Sequence, residues 1–226
     1  MIDKRLGHSL NEVDLRQAVV ECARICYDRG LMVSNDGNIS IRLNETSIMI
    51  TPSGLSKGRL QEQDLVILDL SGVIQKLTSK LKPSTETPMH LEVYKKRPDV
   101  HAAIHAHPVF ATSLSVAGLE FPNNILPEVL LTLGEVPTTK YATPSSEEDA
   151  LAVRDLIRDH DAILLCQHGS LTVGKDLEDA LNHLERIEHV AEVFWRARAL
   201  GKVSRIPTRE QKRLSEMRAT IFFSGK

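Results

Sequence analysis

The 226-residue sequence predicts an α/β fold with three layers, α/β/α, in which a central mixed, mostly antiparallel sheet carries helices on both faces. Three observations lead to this prediction. Two pairs of β-rich stretches near the N-terminus are each joined by a short turn, as in hairpins. Further β-rich stretches then alternate with amphipathic helical patterns, and a long amphipathic pattern covers residues 176–200.

Hydrophobic periodicity and turn residues place the individual elements. Gly30 and Gly201 follow two of the helical patterns and are typical helix stops. Helices are expected at residues 11–29, from Ser84 to about Arg97, at 145–159, at 176–200 and from Pro207 onward. Strands are expected at residues 38–43, 47–51, 65–70, 73–76, 100–107 and 162–167. We expect one domain over residues 1–226, with a C-terminal tail from about residue 201.

Composition and charge exclude several classes of partner. The chain is 42% apolar and 26% charged, with a net charge of -2, so neither nucleic acid nor an anionic membrane is an expected partner. Apolar runs stay well below the roughly 20 residues that a membrane span needs, and the N-terminal residues lack the apolar stretch of a signal peptide. Three cysteines without a close-spaced framework suit a reducing compartment. We therefore predict a cytoplasmic protein that binds a small molecule.

Three histidines are candidate ligands of a metal ion. His105 and His107 lie two apart on a predicted strand, so both side chains point to one face, although such a pair alone is a weak signal. His168 ends another predicted strand, and Gly169 after it permits a sharp turn. Three histidines with one open position are typical of catalytic zinc, and other divalent transition metals also accept imidazole. His101 is a rival ligand if its strand extends that far.

Other polar residues have an ordinary interpretation beside a functional one. Glu86 opens a helix, where the helix dipole favours a carboxylate, and its spacing alone indicates no more than that. Small polar residues and glycines at residues 35–38, 51–54 and 84–85 are ordinary turn or cap residues one by one, but together they could bind a phosphate. The helical histidines are interpreted as structural or exposed: His90, His183 and His189.

A series of motifs resembles the class II aldolase/adducin family between about residues 10 and 200. The motifs are SNDGNISIR, ITPSGLSKGRL, KPSTETPMHLEVYKKRPDVHAAIHAHP, LPEVLLTLGEVP, KYATPSSEE and LLCQHGSLTVG, in the order of the family. The resemblance implies that His105, His107 and His168 bind zinc, and that Glu86 is the catalytic carboxylate and a fourth ligand in the resting enzyme. It also implies a set of residues around the substrate phosphate: Gly37, Asn38, Ser53, Gly54, Ser84 and Thr85.

The same resemblance implies a reaction and an assembly. The expected enzyme is a zinc-dependent aldolase that cleaves a ketose 1-phosphate, such as a fuculose 1-phosphate or a deoxy- or methylthio-pentulose 1-phosphate. Its products are dihydroxyacetone phosphate and an aldehyde, formed through a metal-bound enediolate that Glu86 protonates. The assembly is expected to be a homotetramer.

The chain departs from the fuculose-phosphate aldolases at their proton-donor tyrosines. Residues 126–128 read Leu-Pro-Glu at the first tyrosine position, and the tail RATIFFSGK contains no tyrosine. Glu128 is therefore a candidate for proton transfer to the leaving aldehyde, beside the interpretation that it is an ordinary loop charge. Two alternatives remain open: a sugar-phosphate epimerase or dehydratase on the same metal, and an adducin-like scaffold without catalysis.

Overall fold

A seven-stranded sheet forms the centre of the part of the chain that the computed structural model describes, residues 11–77 and 79–223. The strands are β1 Asn38–Arg42, β2 Ser47–Ile50, β3 Val66–Asp69, β4 Ile74–Lys76, β5 Ala102–Ala106, β6 Ala162–Leu165 and β7 Gly169–Gly174. Their order is β4-β3-β2-β1-β5-β7-β6. All pairings between these strands are antiparallel, and parallel pairing is limited, within the described residues, to an isolated bridge between Thr138 and Leu164.

Helices cover both faces of this sheet, which confirms the predicted fold class. They are α1 Glu12–Asp28, α2 Thr87–Lys96, α3 Val109–Val116, α4 Pro127–Thr132, α5 Glu147–Arg154, α6 Leu177–Leu200 and α7 Thr208–Phe223. One apolar core joins the sheet to α1, α3 and α6, and a second joins its other face to α2 and α5. None of the described helices combines the length and apolar character that crossing a membrane requires.

Side-chain alternation along β1 and β5 decides which residues face α2. Ile39 and Ile104 point into the core beneath α1 and α6, so their neighbours point the other way. Asn38 pairs directly with His105 in the antiparallel register of these strands. The sheet therefore presents a polar row from its two central strands to the face that α2 covers.

Three elements differ from the sequence expectation. The chain at residues 169–174 forms strand β7, whereas Gly169 was expected to make a turn. The turn lies before Gly169, between β6 and β7, where Gln167 adopts a positive φ of 55°. Helices α3 and α4 were also not predicted, because each is short: 8 and 6 residues. The sheet was expected to be mixed and mostly antiparallel, and the described strands pair antiparallel throughout, because the added β7 pairs antiparallel with both β5 and β6.

Candidate metal centre

The backbone fixes the orientation of His105. This residue lies in β5 and its side chain is completely buried. Its Nδ1 is 2.9 Å from the carbonyl oxygen of Ser170 in β7, a contact in which the imidazole nitrogen must be the donor. Burial lowers the pKa of His105 well below its ordinary value, so the ring is neutral. The lone pair is then on Nε2, which points away from the sheet.

The other two histidines converge on that lone pair. His107 follows the end of β5, and His168 lies in the turn between β6 and β7. The Nε2 atoms of His105 and His107 are 3.0 Å apart. The centroids of the three rings are separated by 4.8, 4.7 and 4.9 Å, and one nitrogen from each residue lies within 4.8 Å of the others.

Gly169 allows this close approach. A Cβ built at Gly169 would collide with the carbonyl oxygen of Ala106 and would lie 2.6 Å from Cδ2 of His107. Any side chain at this position would push β7 away from β5 or displace the ring of His107. The glycine after His168 is therefore required by the strand pairing beside the histidines, and not by a turn.

Glu86 faces the three histidines from the other side. It is the N-cap residue of α2, and it is only 8% exposed. Its Oε2 lies 3.3 Å from Nε2 of His105, and its Oε1 lies 3.4 Å from Nε2 of His168. Asn38 donates a hydrogen bond of 2.7 Å from Nδ2 to Oε2. Burial raises the pKa of Glu86, and the hydrogen bond from Asn38 opposes that rise.

These four groups fit a divalent metal ion. Burial lowers the pKa of His107 to about 4, so His107, like His105, offers a lone pair rather than a charge. Oε1 of Glu86 is buried and has no hydrogen-bond partner among the described residues, which is costly for a carboxylate oxygen unless a cation lies beside it. Tetrahedral zinc with bonds of about 2.0–2.1 Å to nitrogen places neighbouring ligand atoms roughly 3.3 Å apart, close to the separations seen here.

A carboxylate also lies near the far nitrogen of His107. Oδ2 of Asp36 lies 3.8 Å from Nδ1 of His107, while the Nε2 atom of the same ring faces His105. Carboxylates and backbone carbonyls on the far nitrogen are the usual outer partners of metal-binding histidines. His105 thus exposes Nε2 toward Glu86 and holds Nδ1 against the backbone, while Asp36 lies near Nδ1 of His107 but beyond hydrogen-bond distance.

The residues expected around a substrate phosphate lie on adjoining loops. The Ser84 backbone nitrogen donates to the carbonyl of Thr51, and the Ser53 nitrogen donates to the carbonyl of Lys82. The hydroxyl of Thr51 accepts a hydrogen bond of 3.1 Å from the backbone of Ile39, next to Asn38. These contacts bring together all three predicted segments: Gly37 and Asn38, Ser53 and Gly54, and Ser84 and Thr85.

Gly37 and Gly54 both have a left-handed backbone, with φ of 72° and 73°. A Cβ at Gly37 would lie 2.8 Å from the carbonyl oxygen of His105, so the loop lies directly against the end of β5. The hydroxyl of Thr85 is exposed and accepts a hydrogen bond of 2.9 Å from Ser145. The predicted phosphate loops are therefore adjacent to the metal centre and partly open to solvent.

Two sequence candidates lie outside the cluster. His101 precedes β5, donates its backbone nitrogen to Gly174, and is not part of the group of histidines that converge. Glu128 is exposed in the first turn of α4 and forms no ion pair with the three histidines in the described part of the chain. The geometry favours His168 over His101 as the third histidine of the cluster. The role of Glu128 stays a prediction.

Sequence reasoning missed three residues near the centre. His90, interpreted above as structural or exposed, is completely buried and hydrogen-bonds to Asn38. Lys57 is only 2% exposed, and its Nζ donates to the carbonyls of Asn35 and Leu55, at 2.9 and 3.2 Å, between two of the predicted phosphate loops. Asp149 lies within 4.8 Å of Glu86 and His168. A charged residue inside the TPSGLSKG motif and a third acidic residue at a helix start were the available signals.

Comparisons with known proteins identify the family of this chain. The family model of the class II aldolase and adducin N-terminal domain matches residues 17–195. A 3-oxo-tetronate 4-phosphate decarboxylase from Haemophilus influenzae is 33% identical, over 82% of this chain and 89% of that protein. An L-fuculose phosphate aldolase from Methanococcus maripaludis is 35% identical, over 81% of this chain and 97% of that protein.

A solved structure of an L-fuculose 1-phosphate aldolase superimposes with a TM-score of 0.82 at 28% identity, covering 90% of this chain and 95% of that one. The family model alone covers well over half of the chain. The chain therefore belongs to the class II aldolase and adducin family, whose relatives named above are enzymes of sugar phosphates.

Proposed function

We propose that the protein is a zinc-dependent aldolase that cleaves a ketose 1-phosphate into dihydroxyacetone phosphate and an aldehyde. The observation that carries the proposal is the placement of Glu86, whose carboxylate faces the converging nitrogens of His105 and His168 at 3.3 and 3.4 Å. Asn38 holds that carboxylate from behind. A base beside a metal centre is what reversible proton transfer next to a carbonyl requires.

The chain divides substrate binding between two groups of residues. The three histidines and Glu86 would hold the zinc, which supplies Lewis-acid polarisation of the substrate carbonyl and neighbouring hydroxyl oxygens. The backbone amides and hydroxyls of the three adjoining loops would bind the phosphate: Gly37, Asn38, Ser53, Gly54, Ser84 and Thr85. Lys57 supports this arrangement because it links two of those loops with a buried positive charge.

Two proton transfers complete the proposed reaction. Cleavage breaks the bond between C3 and C4, and the electron pair stays with C3 as an enediolate. The hydroxyl on C4 loses its proton as the aldehyde forms, and Glu128 is the proposed acceptor. Glu86, protonated from solvent, then delivers its proton to C3, which yields dihydroxyacetone phosphate, and Glu128 returns its proton to solvent. Burial of Glu86 suits this step because a raised pKa makes its protonated form more accessible near neutral pH.

A second candidate is decarboxylation of a phosphorylated 3-oxo acid, and the relative from Haemophilus influenzae favours it. Loss of carbon dioxide from 3-oxo-tetronate 4-phosphate leaves the same three-carbon enediolate, which Glu86 would protonate in the same way. That reaction releases no aldehyde, so it needs no counterpart of the missing tyrosines. It was not among the alternatives drawn from the sequence, where an epimerase or a dehydratase was considered instead.

One experiment separates these readings. The purified protein is analysed for bound metal and then incubated with a panel of ketose 1-phosphates and with 3-oxo-tetronate 4-phosphate, and dihydroxyacetone phosphate is measured. Product from a ketose 1-phosphate supports the aldolase, and product from the oxo acid alone supports the decarboxylase. Bound metal with no product from either would leave the epimerase or dehydratase. Absence of metal and of product would favour the adducin-like scaffold.

Glu86→Gln tests the residue that carries the proposal. The variant keeps a side chain of the same size, so we expect it to retain most of its zinc and to lose turnover by a factor on the order of a hundred or more. Turnover at the wild-type rate in that variant would remove Glu86 from the mechanism. The predicted homotetramer and the cytoplasmic location are also part of the proposal, and analytical ultracentrifugation tests the former.

A further inference from the structure

A row of polar side chains runs between α2 and β1, behind Glu86. Glu86, His90 and Tyr94 are spaced four residues apart, so they lie along one side of α2. Asn38 and Ser40 are spaced two apart and lie on the face of β1 beneath that helix. Four residues of helix rise about 6 Å and two residues of strand rise about 6.6 Å, so side chains along the two rows have nearly the same spacing and can lie opposite one another.

Hydrogen bonds connect the whole row. Asn38 donates from Nδ2 to Glu86 at 2.7 Å, and its Oδ1 lies 2.5 Å from Nε2 of His90. Nδ1 of His90 lies 2.6 Å from the hydroxyl of Ser40, which lies 2.8 Å from the hydroxyl of Tyr94. His90 and Ser40 are completely buried, and Asn38 and Tyr94 are each 2% exposed.

Chemistry assigns a direction to each of these bonds. An ionised Glu86 can only accept, so Asn38 must present its amide nitrogen to it and its carbonyl oxygen to His90. His90 must then donate from Nε2. Burial lowers the pKa of His90 to about 3, so its other nitrogen, Nδ1, carries a lone pair and accepts from Ser40. The oxygen of Ser40 remains free to accept from Tyr94.

We propose that His90 is a positioning residue: its Nε2–H fixes the amide of Asn38 so that Nδ2 meets Oε2 of Glu86 and leaves Oε1 facing the centre. This inference rests on the proposed function, because it gives Glu86 its orientation for proton transfer. Without the donor on His90, only the hydrogen bond to Glu86 itself would favour this orientation of the Asn38 amide over the flipped one. The flipped amide would turn an oxygen toward the carboxylate and lose the hydrogen bond that holds it.

A merely structural histidine would also be buried and hydrogen-bonded, so the two roles need different substitutions. In His90→Gln, the amide nitrogen is as far from Cβ as Nε2 of the imidazole and can still donate to Asn38. In His90→Asn, the amide reaches only the position of Nδ1, so Ser40 keeps a partner and Asn38 loses one. His183→Asn is the matched control, since His183 is a buried histidine on α6 whose Nδ1 bonds to the backbone of Val173.

The functional readout is deuterium incorporation into dihydroxyacetone phosphate in D2O, followed by proton NMR with bound zinc quantified in each sample. This exchange reports proton transfer at C3 alone and needs no aldehyde. We expect His90→Asn to lower the exchange rate about 10- to 100-fold, the range found for outer partners of metal sites, at unchanged zinc content and KM. His90→Gln should recover most of the rate, and His183→Asn should keep it.

A second readout does not depend on catalysis. Long-range proton–nitrogen NMR of the imidazoles in the zinc-loaded wild type should show His90 as a neutral ring protonated at Nε2. A ring protonated at Nδ1 would overturn the inference, even if the His90 variants fail to fold. Equal exchange rates in His90→Asn and the wild type, or equal losses in His90→Asn and His90→Gln, would also overturn it. A wild type that exchanges no deuterium overturns the proposed function instead.

Discussion

Replacing Gly169 by alanine tests whether the strand pairing beside the histidines sets the metal centre. The added Cβ would lie 2.6 Å from Cδ2 of His107, whereas carbon atoms in contact sit about 3.5–4.0 Å apart. Because the added Cβ would also lie 2.4 Å from the backbone carbonyl oxygen of Ala106, β7 must move away from β5, and the ring of His107 must move by about 1 Å or follow that shift. Overpacking of this kind costs about 1–3 kcal/mol, and a displaced ligand ring weakens metal binding further.

The two costs are separated by measuring the protein with and without metal. We expect Gly169→Ala to lower the free energy of unfolding in urea by about 1–3 kcal/mol without metal. Zinc affinity, measured by competition with a chelator, should fall on the order of tenfold or more because His107 is displaced. Ser170→Ala is the control, since it removes an atom at the next buried position and adds none. An unfolding midpoint and a zinc affinity both equal to those of the wild type would refute the close contact.

Three further predictions concern pH, the loop linkage and the leaving group. Burial lowers the pKa of His90 to about 3 and of His107 to about 4, from an ordinary value of 6.5. Between these pKa values and 6.5, the unfolded chain therefore binds more protons than the folded protein. The metal-free protein loses stability as the pH falls below 6.5, by about 1.4 kcal/mol per pH unit for each histidine. Urea titrations at several pH values should show one such contribution missing in His90→Gln. Lys57→Met leaves two loop carbonyls without their donor, so we expect KM for the phosphorylated substrate to rise more than kcat falls, whereas the exposed neighbour Arg59→Met should change neither. Glu128→Gln should slow aldehyde release while deuterium exchange into dihydroxyacetone phosphate continues, and equal effects on both would place Glu128 outside the leaving-group step.

The sequence predicted the layers and most strands because their signals are local. Alternation and turn residues indicated both hairpins, and helical periodicity indicated α1 and α6 within one or two residues of their ends. Strand β7 was not predicted because glycine stands at each end of GSLTVG, and glycine usually indicates a turn. Its ladder position depends on a close contact with His107, which is a tertiary effect.

The sequence predicted those parts of the candidate site whose residues are close together in the chain, and missed those that tertiary packing brings together. His105 and His107 share a strand and could be paired by spacing alone. Glu86 gave only the signal of a helix start, and its place beside the histidines followed from the family resemblance. His90 was interpreted as structural or exposed, and its hydrogen bonds behind Glu86 could not be predicted because its partners, Asn38 and Ser40, are about fifty residues away in the chain. Only the packing of α2 on β1 brings those residues together.

The structure divides the proposed chemistry between a central, largely buried part and an exposed part. The histidines, Glu86 and the polar row behind it belong to β1, β5, α2 and the turn before β7, which surround the centre of the sheet. Glu128 lies instead on α4, an exposed six-residue helix that packs against α7 in the outer part of the molecule. In the proposed reaction, protonation of a three-carbon enediolate depends only on the central part. We therefore expect changes in the exposed part to alter the leaving group, aldehyde or carbon dioxide, without disturbing the step proposed for Glu86.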